Sequence, residues 1–394
     1  MSDTLALYIH IPFCETRCPY CDFNTYAGIE DLIPQYVDAL AEELRLWGEA
    51  LAQPDVATVF FGGGTPSYLH PKHIQHLMET ARASFLLMPG AEVTLESNPG
   101  DITPDRVQSW RSAGINRVST GVQSLDDALL QLLGRRHTAA EAVQAYRCAR
   151  AEGFDNINLD LMFGLPGQTL AQWQDTLSRV LELRPEHLSM YCLTLEEGTP
   201  LWAWVRSGKV QEPDGDLAAD MYLLAQEMAA SAGYQHYEIS NWALPGREAR
   251  HNLAYWRSRQ YLGVGPGAHS YLDGWRFAVV KSPRAYIRRI AACANLSCGE
   301  WMPETLRKRG LLESADAVNA QTLMGEHMMM GLRLAEGVSD AAFRARFGVG
   351  QAEQYSLQIR ELSEIGLLQW EDGCLKLTSQ GKLLGNEVFQ RFVA

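Results

Sequence analysis

The sequence predicts an α/β fold, a partial (β/α)6 barrel followed by a smaller, mainly helical domain of winged-helix-like character. Two observations carry this expectation. Short apolar runs alternate with longer amphipathic ones through the first two-thirds of the chain, the pattern of parallel βα units. Toward the C-terminus helical runs take over and close on one short alternating segment, as a small hairpin would.

Six candidate strands, 5–11, 58–61, 93–97, 117–121, 157–162 and 187–192, alternate with helical patterns near 32–51, 71–84, 104–112, 138–152 and 170–183. Pro71 and Pro104 stand where a first helical turn accepts proline, and Gly114 and Gly153 where a helix stops. Units of this kind make a partial or complete barrel, whose ligands bind on the loops that follow the strands. From about Gly215 the pattern loosens into a helix at 216–232 and a short strand at 234–239. A long stretch at 240–271, dense in His, Asn, Trp, Tyr and Gly, shows no clear period and reads as irregular and mobile. A break near 296–309, with Cys-Gly and Met-Pro dipeptides, reads as a linker and divides the chain into domains 1–295 and 296–394. Helices at 322–332, 339–347 and 354–365 follow, then the alternating 374–377 and a last helix from Ser379.

Of the 394 residues, 46% are apolar and 21% charged, as in globular proteins. No apolar run approaches the roughly 20 residues of a membrane span. The N-terminal Met1-Ser-Asp-Thr lacks the basic region of a secretory leader, so a cytoplasmic protein is expected. Lys and Arg number 34 against 47 Asp and Glu, a net charge of -13. Such a surface repels phosphate backbones and argues against nucleic acid as a partner, for the winged-helix-like part as well. Arg135-Arg136-His137 is either a local basic patch or a solvated helix start.

Eight cysteines fall at 14, 18, 21, 148, 192, 293, 298 and 374. The chain is too long, and the cysteines too unevenly spread, for a disulfide scaffold. Cys148 and Cys192 lie in apolar patterns and read as core residues, while Cys293 and Cys298 lack further ligands at metal spacing. Cys14-Glu-Thr-Arg-Cys18-Pro-Tyr-Cys21 follows the first strand. Three thiolates on one loop can hold three corners of a four-iron four-sulfur (4Fe-4S) cluster and leave the fourth iron open. A zinc knuckle would need a fourth ligand, and the nearby His10 alternates within a strand and reads as packed. Phe61-Gly62-Gly63-Gly64-Thr65-Pro66 follows the second strand, and its glycines let a ligand approach the backbone. Glu96, Gln123 and Asp160 stand at later strand ends, with Arg135 shortly beyond. The open iron and the glycine turn suit the amino-acid end of S-adenosylmethionine (SAM); Asp160 suits its ribose and Arg135 its carboxylate.

These motifs, with Tyr8-Ile-His10-Ile-Pro-Phe-Cys14, the stretch Asn158-Leu-Asp160-Leu-Met-Phe-Gly164-Leu-Pro166-Gly167-Gln168-Thr169, and the C-terminal Gly331-Leu-Arg-Leu and Leu377-Thr-Ser-Gln-Gly381, resemble the radical-SAM coproporphyrinogen-dehydrogenase-like family. The resemblance runs through nearly the whole chain. It implies a 4Fe-4S cluster on Cys14, Cys18 and Cys21. It implies a SAM site lined by Tyr8, Gly63, Gly64, Thr65, Glu96, Gln123, Arg135 and Asp160. Within that family the chain is similar to the heme-chaperone branch. The decarboxylating oxidases have a further cysteine where Phe23 stands, and a long segment ahead of the cysteines where 13 residues stand here. His251-Asn252-Leu-Ala-Tyr255-Trp256 fits the His-Asn-x-x-Tyr-Trp motif of the chaperones and implies heme on His251, with Tyr and Trp against the macrocycle. His236 and His269 are rival imidazoles, each near turn-like glycines. The expected function is heme binding and transfer to an acceptor protein, itself the route to any peripheral membrane association. The alternative is an oxygen-independent coproporphyrinogen III dehydrogenase or a related radical-SAM enzyme, in which reductive SAM cleavage yields a radical that abstracts hydrogen from substrate.

Overall fold

The computed structural model describes residues 4–393; the leader reading of the extreme N-terminus rests largely on residues 1–3, outside them. β1 (Leu5–Ile11), β2 (Asp55–Gly63), β3 (Leu86–Ser97), β4 (Arg117–Gln123), β5 (Ile157–Phe163) and β6 (His187–Cys192) lie side by side in chain order. Each pairs in parallel with the next. Parallel neighbours need crossovers. These are α1 (Ile33–Ala50), α2 (Pro71–Ser84), α3 (Pro104–Ala113), α4 (Asp127–Leu132) with α5 (Ala139–Ala151), and α6 (Leu170–Leu183). The local signals act as expected. Pro71 and Pro104 open their helices, and Gly114 ends α3 in the left-handed region at φ +92°. Thr138 with Glu141, and Thr169 with Gln172, close reciprocal capping boxes. α4, absent from the sequence reading, is little more than one turn and shows no period. It is fixed by the Asp126 carboxylate, which accepts from the N–H groups of Ala128 and Leu129.

The two faces of each strand differ in kind. Leu5, Leu7, Ile9 and Ile11 of β1 join Leu40, Leu44 and Trp47 of α1 in the main core. The alternate residues point to the concave face. In register there stand Tyr8 with Phe60, Glu96 with Ser119, Gly121 with Asp160, and Asp160 with Ser189. A period of two therefore delivers apolar groups to the helices and polar groups to the interior of the partial barrel.

Residues 240–271 are ordered elements rather than an irregular stretch. β7 (Gln235–Glu238) and β8 (Asn241–Ala243) form a hairpin antiparallel to β6. A helix, Arg250–Trp256, leads into β9 (Tyr261–Val264), which pairs in parallel with β1. β10 (His269–Leu272), β11 (Trp275–Val279) and β12 (Leu312–Ala317) continue the same sheet antiparallel, giving the order β12-β11-β10-β9-β1-β2-β3-β4-β5-β6-β8-β7. The expected linker at 296–309 contains the helix Pro303–Lys308, and its Trp301 and Leu306 are buried in the main core. Because β12 follows that segment and pairs with β11, the large sheet holds the chain as far as Ala317.

Beyond it, the helices Ala320–Gly331, Asp340–Phe347 and Ser356–Glu364 pack with a small antiparallel sheet of β13 (Val338–Ser339), β14 (Leu368–Glu371) and β15 (Cys374–Leu377). Met328, Phe343, Leu362, Leu375 and Val388 make a separate core, the winged-helix-like unit the sequence predicts. Among the described residues no helix is long and apolar enough to cross a membrane.

Candidate functional site

The cysteine loop leaves the C-terminal end of β1 and is pinned at both sides. Cys14 N–H donates to the Tyr26 carbonyl (2.9 Å), and Tyr26 N–H to that of Pro12 (2.8 Å). Asn24 Nδ2 donates to the carbonyls of Pro266 (2.9 Å) and Lys281 (3.0 Å), tying the loop to the turns flanking β10 and β11. Cys14, Cys18 and Cys21 line one cavity of about 390 Å³ with Gly63, Gly64, Thr65, Glu96, Gln123, Arg135 and Asp160. Thr65 Oγ1 donates to Cys14 Sγ (3.4 Å), and Arg135 Nη1 to Cys18 Sγ (3.5 Å). Burial pushes the Cys14 and Cys21 thiols above their ordinary pKa. Among the described residues no group of three or more His, Cys, Asp or Glu side chains is gathered as around a single metal ion. His10 is packed, with Nε2 on the Asn24 carbonyl (3.0 Å) and Nδ1 on the Tyr8 hydroxyl (3.0 Å). Three thiols along a cavity wall, with two donors on their sulfurs and the Arg135 Nε buried without a partner, fit a thiolate-held anionic group larger than one ion.

The glycine turn is built by close approach. Gly63 has φ +111°, and a Cβ there would lie 2.4 Å from the His10 ring. A Cβ on Gly64 would lie 2.8 Å from the Ile11 carbonyl oxygen, which accepts from Gly64 N–H at 2.7 Å. Thr65 N–H bonds the Phe13 carbonyl (2.8 Å), so the glycine turn and cysteine loop are stitched together. Glu96 Oε2 accepts from Gly63 N–H (3.1 Å). Burial first, and the charge of Asp160 second, push the Glu96 carboxyl up to about 8. Burial also raises Asp160, against the bonds it accepts from Asn158 Nδ2 (2.7 Å) and Ser119 Oγ (3.1 Å). Gln123 sits at φ +65°, uncommon for a side-chain-bearing residue and frequent at binding sites. Arg135 Nη2 donates to the Gly121 carbonyl (2.7 Å). Its two neighbours make no basic patch, since Arg136 pairs with Glu15 and Asp101 and His137 is buried against the Val122 carbonyl.

A second cavity, of about 540 Å³, adjoins the first. Gly63, Glu96 and Phe23 line both. Tyr8 faces this second space, along with Tyr255, Trp256, Tyr261, His269 and Arg276, and the helix Ala320–Gly331 closes it with Leu323, Glu326 and Met330. His251 lines neither cavity. It is 1% exposed in the helix Arg250–Trp256, with Nδ1 bonded to Thr58 Oγ1 (2.8 Å) and Nε2 to the Tyr255 hydroxyl (2.9 Å). Its place is thus fixed in a helix, where the sequence suggested a mobile segment. His236 stacks on Trp242 at 4.2 Å, away from both cavities, whereas His269 is exposed on the second cavity's wall.

Sequence reasoning missed part of the walls. Tyr191 and Cys192, at the end of β6, line the cysteine cavity; Cys192 is exposed rather than a core residue. The rule that ligands bind after parallel strands would have found both. Arg276 and Met330 carry no comparable signal, because strand pairing and domain packing over long sequence separations bring them in.

The family description "Radical SAM superfamily" matches residues 8–180, and "HemN C-terminal domain" matches 318–384, beginning directly after β12. A protein of Bacillus subtilis named "Heme chaperone HemW" is 36% identical, over 98% of this chain and 99% of its own length. Its Mycobacterium tuberculosis namesake is 37% identical over 97% and 93%. The chain belongs to the HemW family of radical-SAM proteins. The mouse protein named "Radical S-adenosyl methionine domain-containing protein 1, mitochondrial" is 38% identical to this HemW-family chain, over 96% of it and 85% of its own length. The structure described as "Coproporphyrinogen III oxidase (HemN) from Escherichia coli is a Radical SAM enzyme" superposes with a TM-score of 0.84. It is 23% identical and covers 100% of this chain and 90% of that one, so it shares the fold of this HemW-family member.

Proposed function

We propose that this chain is a heme chaperone that holds a 4Fe-4S cluster on Cys14, Cys18 and Cys21, binds SAM beside it, and delivers heme to an acceptor protein. The observation that carries the reading is the pair of adjoining cavities, one walled by the three thiols and the other by the aromatic residues of the His251 motif. When bound, the cluster with SAM on its open iron supplies one-electron chemistry. The chain's own residues set the surroundings. Arg135 suits the SAM carboxylate, Glu96 its ammonium, and Asp160 its ribose hydroxyls. Gly63, Gly64 and Thr65 offer backbone at close range and Gln123 borders the same space, whereas Tyr8, expected there from the sequence, lines the second cavity instead. In that second cavity Tyr255 and Trp256 offer flat apolar faces to a porphyrin, and Arg259 offers a cation to its propionates, Arg276 being paired with Glu326. His251 belongs to this site through its hydrogen bond to Tyr255. None of the eight cysteines is drawn into a disulfide, which is consistent with the reducing cytoplasm expected from the sequence.

The test is anaerobic reconstitution of the full chain followed by addition of heme and SAM. Cluster iron and sulfide in the ratio of a cubane, with stoichiometric heme absorbance, are expected. Formation of protoporphyrinogen from coproporphyrinogen, with equivalent deoxyadenosine, would replace the chaperone by the dehydrogenase.

A further inference from the structure

The motif that directs attention to His251 sends a different side chain into the second cavity. We propose that Tyr255 is the protein ligand to the iron of ferric heme, and that His251 is a positioning residue behind it. This rests on the heme reading of that cavity given above. Tyr255 lines the cavity and His251 does not. The two rings meet edge-on, at 89° with centroids 5.0 Å apart, and the hydroxyl lies 2.9 Å from Nε2. The other imidazole nitrogen is taken by Thr58 Oγ1 at 2.8 Å, and the His251 backbone N–H is held by Glu92 at 3.0 Å. For His251 to reach iron through Nε2, its bond to the Tyr255 hydroxyl must break and the ring must leave its buried place outside the cavity. Tyr255 already stands in the cavity wall; burial, with Tyr261 and Glu96 nearby, holds its phenol protonated until the iron takes the oxygen.

Phenolate is an established axial ligand of heme. The step balances with ferric heme arriving as its hydroxide complex. The bound hydroxide takes the phenol proton and leaves as water, the phenolate oxygen bonds the iron, and the iron remains ferric. Thr58 makes the arrangement serve both states, because a hydroxyl either donates or accepts. With Nδ1 protonated, the imidazole donates to Thr58 and accepts from the phenol. With Thr58 donating to Nδ1, the Nε2–H donates to the phenolate oxygen.

His269 shares the same cavity wall and is the principal rival. The experiment uses the cluster-loaded full chain, titrated with ferric heme and followed by resonance Raman spectroscopy of the bound heme, for the parent and for Tyr255→Phe, His251→Ala, His251→Gln and His269→Ala. The parent should show iron–phenolate modes. Tyr255→Phe should lose them and bind ferric heme about tenfold more weakly, with cluster iron and sulfide unchanged. His251→Ala should keep the modes at shifted frequency, and His251→Gln, which restores a donor, should move them back. Imidazole ligation in the parent, unchanged by Tyr255→Phe, would overturn the assignment. Its loss in His269→Ala would then give the ligand to His269, and its loss in His251→Ala to His251. A parent chain that takes up no stoichiometric heme would instead overturn the cavity reading, and the ligand with it.

Discussion

Glu96 is a carboxyl kept from ionising by its surroundings, and it stands where the two cavities meet. Its pKa, pushed up to about 8 by burial and by Asp160, fixes the sign of two effects. The folded chain holds a proton that the unfolded chain gives up in the ordinary carboxylate range. The contribution of Glu96 to stability is therefore complete below that range and lost as pH rises through about 8. On the proposed reading ligand binding runs the other way, because only the ionised form would attract the SAM ammonium. SAM affinity, measured by equilibrium binding to the cluster-loaded protein, should rise between about pH 6.5 and about pH 8.5, and Glu96→Gln should flatten that rise. The thiols give a second prediction. Alanine at Cys14, Cys18 or Cys21 should abolish cluster assembly, and alanine at Cys148 or Cys374 should leave iron and sulfide content at the parent level. An equal loss from Cys374→Ala would refute the ligand set. That the cysteine loop, the glycine turn and the strand-end Glu96 and Asp160 share one cavity was legible in the sequence, because loops after parallel strands gather at one end of the sheet and a period of two puts alternate residues on one face. The partners of His251 were not. Thr58 lies 193 residues away, and nothing local announces that contact.

Among the elements, the helix Arg250–Trp256 depends on a single side chain. Glu92, buried at the centre of β3, accepts from Arg250 N–H (3.1 Å) and His251 N–H (3.0 Å), satisfying donors at the helix start. Glu92→Ala should cost about 1–3 kcal/mol in chemical denaturation and weaken heme binding, because the motif would lose its anchor. The glycine turn has the opposite requirement, room. In Gly64→Ala the new methyl group meets the Ile11 carbonyl oxygen at 2.8 Å and the Phe13 carbonyl oxygen at 2.7 Å. Overpacking of this kind costs about 1–3 kcal/mol. The displaced cysteine loop should show it as reduced cluster content at equal protein yield. The six parallel strands and their long crossover helices were predicted closely because each carries its own apolar period. The short strand expected at 234–239 is β7, whereas β8 to β12 escaped notice because they are short and read as strands only when paired with β6, β1 or one another.

Across the whole molecule, the helix Ala320–Gly331 brings the C-terminal unit onto the large sheet. Arg276 of β11 and Glu326 of that helix form a two-pronged ion pair, with Nη2 to Oε2 at 2.6 Å. Arg276→Glu should separate thermal unfolding into two transitions, and combining it with Glu326→Arg should restore one; scanning calorimetry of the three proteins decides this. The sequence announced a second unit but placed its start early, since nothing in residues 296–309 discloses that the next strand returns to the first sheet. The walls common to both cavities, Gly63, Glu96 and Phe23, impose a further condition. On the proposed reading SAM and heme would share these walls, and any coupling between their affinities is symmetric. By whatever factor bound SAM alters the dissociation constant of heme, bound heme must alter that of SAM by the same factor. Two titrations, each run with and without the other ligand, should return one number. Were that number to differ from one, heme release by the proposed chaperone would depend on the free SAM concentration, and a cell's supply of methyl donor would help set how readily the cargo is surrendered.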